Sequence, residues 1–165
     1  MSDLVTVRRA TLADVPTIAH HRVAMFRDMG ELDEPGADAL RRATVSLLER
    51  MMPTGEYIGW LAAPAGQPAQ VVAGAGAQVR TLLPRPLAHG MSLRVGPEAI
   101  VVNVYTEPAW RRRGAARTLM EQVIDWARAQ GVGRLVLHAS KDGRALYERL
   151  GFAPTNEMWF TGRLG

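Results

Sequence analysis

The sequence predicts a mixed α/β domain, one sheet with helices on both of its faces. Three observations carry this. Stretches of alternating or continuous apolar residues are interleaved with stretches at helical spacing, the pattern of a sheet with helices interposed among its strands. Proline and glycine fall between these segments, and no internal repeat, low-complexity tract or long linker divides the chain. The 165 residues, 47% hydrophobic with a net charge of +4, are enough for one sizeable core and short for two. A single domain over residues 1–165 is therefore expected.

The elements follow in order. Leu4 to Arg8 alternates and reads as a strand. Thr11 opens a helix, with Asp14 three residues on in a capping-box arrangement. Its stripe is Val15, Ile18, Ala19, Val23 and Phe26, and Gly30 ends it after Met29. Asp33 to Gly36 reads as a break, and a second helix runs from Ala37 to Met52, stopped by Pro53. Tyr57 to Ala63 and Val71 to Leu83 read as strands of a hairpin, turning at Pro64 to Pro68. Pro84 to Gly96 is a punctuated connection. Ala99 to Thr106 is nearly continuous and β-branched, as a central strand would be. Gly114 to Gln130 is the clearest helix, with Ala116, Leu119, Met120, Val123, Ile124 and Ala127 on one face and Gly131 at its end. Arg134 to Ala139 reads as a strand, Asp142 to Leu150 as a short helix, and Gly151 to Arg163 as closing strand material.

Composition excludes several classes. Cysteine is absent, so disulfides, thiolate metal sites and cysteinyl intermediates are ruled out. No apolar run reaches the roughly 18–20 residues that span a bilayer. Met1 to Arg9 lacks an apolar signal core and carries Asp3, so no membrane or secretory signal is read and the cytoplasm is the expected location. The basic residues are 19 arginines and the single Lys141. Arginine richness often follows base composition, but its clustering does not. A pI near 10.3 raises nucleic acid as a partner. The basic cluster is one helical turn, not a stripe interleaved with aromatics, so no nucleic-acid partner is expected.

Familiar motifs fail on their context. Gly74-Ala75-Gly76-Ala77 begins like a dinucleotide fingerprint, but the third glycine is missing and Arg80 to Pro86 cannot start a helix. Small residues under a packed neighbour explain it better. A P-loop is absent, because Lys141 precedes Asp142. His20, His21, His89 and His138 show no i, i+4 pair, so no metal is expected.

The informative stretch is strand, turn, helix. Val101 to Thr106 leads through Glu107-Pro108-Ala109-Trp110 to Arg111-Arg112-Arg113-Gly114-Ala115-Ala116, at the start of the strongest helix. A helix N-terminus offers unpaired N–H groups and a positive dipole end. Gly114, Ala115 and Ala116 let an anion approach, and three guanidinium groups rim the turn. These residues fit a pyrophosphate seat, or equally a solvated basic helix start. After the next strand, Ser140-Lys141-Asp142-Gly143-Arg144-Ala145-Leu146-Tyr147 puts a tyrosine on a short helix.

Together the two stretches resemble the GCN5-related N-acetyltransferase (GNAT) family. Its phosphate motif, Gln/Arg-x-x-Gly-x-Gly/Ala, matches Arg111 to Ala116 in full, and its signature Leu-Tyr-x-x-x-Gly-Phe matches Leu146 to Phe152. The chain departs from the family at Ser140, where asparagine is frequent, and at Gly143, where alanine is common.

The resemblance implies a mostly antiparallel sheet with one splayed parallel strand pair, Ala99 to Thr106 and Arg134 to Ala139. Acetyl-coenzyme A would lie in the gap, with its pyrophosphate on Arg111, Arg112, Arg113, Gly114, Ala115 and Ala116. Its pantetheine arm would run along Val104, Tyr105 and Thr106, with Ser140 and Gly143 nearby. An acceptor amine would attack the thioester directly, with the oxyanion held by a strand amide near Val104 or Tyr105. Tyr147 would protonate the departing thiolate, a role suited to a phenol of pKa about 10. The alternative for Tyr147 is an amphipathic packing tyrosine. The first helix would wall the acceptor pocket. There Arg22 interrupts the line Ile18, Met25, Met29, as a ligand contact or as a boundary arginine with its head in water. Arg22 and Met25 of that helix, with Asn103 of the central strand, are the expected acceptor contacts.

For the base, the strand offers only Asn103 and Tyr105 as polar residues, with Glu98 before it and Glu107, read as solvated, after it. The expected function is transfer of acetyl to a primary amine of a small molecule or peptide. The alternative is a non-catalytic acyl-coenzyme A binding or sensing domain. A homodimer is compatible with the resemblance.

Overall fold

A computed structural model describes residues 4–87, 90 and 92–164, so Asp3 and His89 lie outside the described residues. The elements are β1 (Val5–Arg9), α1 (Val15–Asp28), α2 (Glu34–Thr54), β2 (Tyr57–Pro64), β3 (Ala73–Thr81), β4 (Arg85–Pro86), β5 (Leu93–Arg94), β6 (Pro97–Thr106), α3 (Ala115–Ala129), β7 (Arg134–Leu137) and α4 (Arg144–Arg149). Five strands form one sheet in the order β1-β2-β3-β6-β7. Neighbours are antiparallel except β6 and β7, which are parallel. The short strands β4 and β5 pair with each other, giving the punctuated connection a small ribbon of its own.

Helices cover both faces of the sheet, each with its own core. On one side α3 sets Leu119, Met120 and Val123 against Trp60, Ala62, Ala75, Ala99 and Val101. Alanine and glycine are poor strand formers, but here they let the helix come close, and Trp126 meets Trp60 edge-on at 5.3 Å. Burying a side chain the size of Leu119 or Val123 contributes roughly 1.5–3 kcal/mol. On the other side α1 and α2 place Val15, Ile18 and Leu48 against Tyr57 and Leu61. The Gly74 to Gln78 run lies in β3, where Gly76 sits beneath the Tyr57 ring and Gly74 beneath His21.

Three expectations fail. Pro53 does not stop α2, which runs to Thr54 and closes at the left-handed Gly55. A proline already has helical φ; it loses its own N–H bond and crowds the carbonyl four residues back, and one residue from the end the last turn can open to accommodate this. The same helix begins earlier than expected, because Asp33 accepts the Gly36 N–H at 3.0 Å and Pro35 is tolerated in the first turn. At the C-terminus, residues 151–164 form no strand. Pro154 has no donor, and β7 offers only four residues to pair with. Glu157 instead takes the His138 ring at 3.1 Å and the Trp159 indole N–H at 3.0 Å, tying the segment to the end of β7 and leaving Met158, Trp159 and Phe160 exposed.

Candidate active site

Strands β6 and β7 run side by side from Glu98↔Arg134 to Val101↔Leu137 and then part. Strand β7 ends there, whereas β6 continues to Thr106 with β3 on its other side. Along that side Gly76 opposes Val102 and Gly74 opposes Tyr105, so Ala75 faces two residues, Asn103 and Val104. This is a β-bulge, which bends a strand and re-aims its side chains. Asn103 adopts φ 60°, a left-handed conformation that asparagine tolerates better than most residues. Its Nδ2 donates to the Ile18 carbonyl of α1 at 3.2 Å. Its Oδ1 is buried with no partner among the described residues.

Beyond Thr106 a 3₁₀ turn (Pro108–Trp110) leads to α3. Arg112 has φ 60° and Gly114, the N-cap of α3, φ 87°. A Cβ on Gly114 would meet no atom within 4 Å, so the space over the turn is open. The first N–H groups of α3 have no helical acceptor and point toward that end. An open cradle, free amides and the exposed Arg112 and Arg113 fit a pyrophosphate. The Arg111 guanidinium is committed elsewhere: its Nε donates to the Thr106 carbonyl at 3.0 Å and its Nη2 pairs with Asp28 of α1. Arg113 lies over the Trp110 ring at 5.1 Å.

Across the split, Tyr147 projects from α4 and is half-buried against Phe152, 6.1 Å between ring centres. Burial raises its pKa, so it holds its proton more firmly than a free phenol. Ser140 Oγ accepts the Gly143 N–H at 3.2 Å, which fixes the start of α4. A cavity of about 610 Å³ opens beside β7, lined by Leu137, His138, Arg144, Tyr147, Phe152 and Glu157 among others.

The α1 face of β6 carries a second polar cluster. His21 is 1% exposed, stacks on Tyr105 at 5.1 Å, and leaves Nδ1 without a partner. Burial, helped by His20 and opposed by Glu107, lowers its pKa to about 4. Glu107 is not simply solvated: it contacts His20 Nε2 at 3.1 Å and accepts from Tyr105 Oη at 3.3 Å. Arg22 is half-buried over Phe26 at 5.0 Å, and burial depresses its pKa against the opposing influence of Tyr57. The Tyr57 phenol is buried and its pKa is raised by that burial. Met25 is half-buried three residues after Arg22. Glu98 is 1% exposed and bonded by Arg80 at 2.8 Å and Arg134 at 2.6 Å. Burial alone would raise its pKa, but the two arginines outweigh it and hold the carboxylate ionised.

The expected residues fall into groups. Val104, Tyr105 and Thr106 border the open stretch of β6, and Arg111 to Ala116 form the turn beyond it. Ser140, Gly143 and Tyr147 stand together at α4. Asn103 is joined to α1 four residues from Arg22. Sequence reasoning overlooked Tyr57, His21 and the Glu98 ion pairs. The signal for Tyr57 was the facing glycine pair Gly59 and Gly76, two residues along the hairpin, which leaves room for its ring. Glu98 announced itself as a carboxylate in an otherwise apolar strand.

Comparison with known proteins agrees with this arrangement. The family model described as Acetyltransferase (GNAT) family matches residues 39–152. A thialysine N-epsilon-acetyltransferase of Caenorhabditis elegans is 35% identical over 81 residues, 46% of this chain and 51% of its own. An aminoglycoside N(6')-acetyltransferase type 1 of Serratia marcescens is 37% identical over 67 residues, 39% of this chain and 46% of its own. The chain thus spans about half the length of the curated relatives it matches. A crystal structure of a GCN5-related N-acetyltransferase from Ralstonia eutropha superposes with a TM-score of 0.80 at 29% identity, covering 94% of this chain and 97% of that one.

Proposed function

The chain belongs to the GNAT acetyltransferase family, and on that footing we propose that it moves an acetyl group from acetyl-coenzyme A to a primary amine of a small molecule or peptide. The observation that carries the reading is the parting of β6 from β7 after Val101↔Leu137, next to an open helix N-terminus at Gly114. A gap between strands and an anion seat at its end suit a long ligand with a phosphate-bearing head.

In this reading Arg112, Arg113 and the amides from Gly114 to Ala116 hold the pyrophosphate. Arg111 holds the turn in shape through Thr106 and Asp28. The backbone of Val104, Tyr105 and Thr106 pairs with the pantetheine arm, Ser140 and Gly143 lie alongside, and a strand amide near the bulge supports the oxyanion. Tyr147 donates its proton to the departing sulfur. Its raised pKa keeps that proton in place at neutral pH. Arg22, Met25 and Asn103 border the acceptor. Glu98 is a poor base, because both of its oxygens are spent on arginines. In the same reading residues 1–165 form one acetyltransferase domain that acts in the cytoplasm, takes no nucleic acid as partner and can pair as a homodimer.

The test is thiol release from acetyl-coenzyme A across a panel of amines, beside calorimetric binding of coenzyme A. Amine-dependent release supports the reading. Tight binding with no release by any amine would replace it with a sensing domain.

A further inference from the structure

Arg22 stands apart among the arginines near the site. Arg80, Arg111 and Arg134 each hold a carboxylate. Arg22 is half-buried, lies over Phe26, and has no carboxylate within ion-pair distance among the described residues. A guanidinium removed from water without a counter-ion is unfavourable, and the deficit is relieved when an anion arrives.

Its place ties it to the bulge of β6. Four residues before Arg22 on α1, the Ile18 carbonyl holds Asn103 at the bulge. Residues four apart on a helix share a face. Asn103 follows Val102, which pairs with Gly76 of β3, and the Tyr57 hydroxyl sits over Gly76 where a Cβ would collide with it. Ile18, one turn before Arg22 on α1, packs in the same cluster as Tyr57, which brings the phenol to that face of the helix. Guanidinium, phenol and bulge therefore border one patch of the α1 face.

Charge on that face points the same way. Arg80, Glu98 and Arg134 stand in one row across β3, β6 and β7. Strand alternation puts Glu98 on the side of Val102, which packs against the Tyr57 cluster. Both of those cations are spent on Glu98. Of the acids nearer Arg22, Asp28 serves Arg111 and Glu34 serves Arg27, and Glu107 is engaged by His20 and the Tyr105 hydroxyl. Among the described residues Arg22 is left with no carboxylate of its own, which favours an acceptor amine that also bears an anion.

We propose that Arg22, with the Tyr57 hydroxyl beside it, is a subsite for an anionic oxyacid group, carboxylate or phosphate, on the acceptor amine. The planar fork of arginine suits either. This rests on the N-acetyltransferase reading above and narrows its substrate class.

The experiment compares matched acceptors that differ only in the anion: L-lysine against 1,5-diaminopentane, and glucosamine 6-phosphate against glucosamine. Each pair is assayed with the wild-type protein and with Arg22→Gln, Arg22→Lys and Tyr57→Phe, with melting temperature and KM for acetyl-coenzyme A measured alongside. In at least one pair, the anionic member should have the higher kcat/KM, by about tenfold for a half-exposed charged contact. Arg22→Gln should erase that preference, Arg22→Lys should restore part of it, and Tyr57→Phe should weaken it. The KM for acetyl-coenzyme A should stay within about twofold. The pair that responds separates carboxylate from phosphate. Equal or better use of the neutral members, or a preference that survives Arg22→Gln in a folded protein, overturns the subsite and leaves the acetyltransferase reading standing. Failure of every amine overturns that reading, and the subsite with it.

Discussion

A methyl group built on Gly143 would lie 2.7 Å from Cε2 of Tyr147 and 3.3 Å from Ser140 Oγ. The tyrosine ring rests on bare backbone, so the small residue and the position of the phenol are one feature. Gly143 has φ −84°, which any residue adopts, so Gly143→Ala introduces crowding without backbone strain. We expect the ring to swing away, with kcat falling about tenfold and the melting temperature by a few degrees at most. Kinetics beside a thermal melt checks this, and unchanged turnover would mean that the phenol position is immaterial.

Tyr147→Phe keeps the ring against Phe152 and removes the proton. Loss of a positioned acid costs on the order of 10²–10⁴ in rate. Coenzyme A affinity should hold within about twofold, since the packing is retained. Steady-state turnover and calorimetry on one preparation test the pair of outcomes, and full activity would assign the proton to water.

Gly114→Val acts through the cradle. The position is open, but φ 87° strains any β-branched side chain by about 1–3 kcal/mol. The melting temperature should therefore drop by several degrees. Coenzyme A affinity should drop further, by more than about tenfold, because the branch occupies the phosphate approach. Unaltered affinity in a folded variant would move the anion seat elsewhere.

The sheet and helices were legible because their signals are local. The stripe of α3 from Leu119 to Ala127, the β-branched run of β6 and the glycine stops at Gly30 and Gly131 report burial and termini directly. The boundaries of α2 were less legible, because proline is ambiguous near either helix end. The C-terminal segment reads apolar, but whether it becomes a strand depends on an edge that β7, with four residues, barely offers. The turn at Arg111 to Ala116 was visible as a motif. The bulge at Asn103 was not, because it arises from a count mismatch between β3 and β6 that neither strand shows alone. The same holds for Glu107, whose partners His20 and Tyr105 come from two different elements.

The buried His21 gives a last prediction, on acid stability. Its pKa in the folded protein is about 4, chiefly because burial disfavours the imidazolium. In the unfolded chain it returns to about 6.5. Above that value both states are neutral and His21 adds no pH dependence. Between about 6.5 and 4 the unfolded chain takes up a proton that the folded protein refuses, so stability falls as the pH falls. Below about 4 both states are protonated and the loss levels off at roughly 3 kcal/mol. Asp14 enters only at the acid end of this window, and to the same extent in the wild-type protein and the His21 variant. Its hydrogen bond from Arg8 holds its pKa near 2, so its own contribution is present above the ordinary carboxylate range and is lost only as the pH drops through that range and below. Denaturant midpoints measured from pH 7.5 to 4 should therefore decline for the wild-type protein. In His21→Gln they should decline much less, whatever the overall stability of the variant. Equal slopes in the two proteins would show that His21 finds a partner for its proton in the fold. That would contradict the unpartnered Nδ1 packed over Gly74.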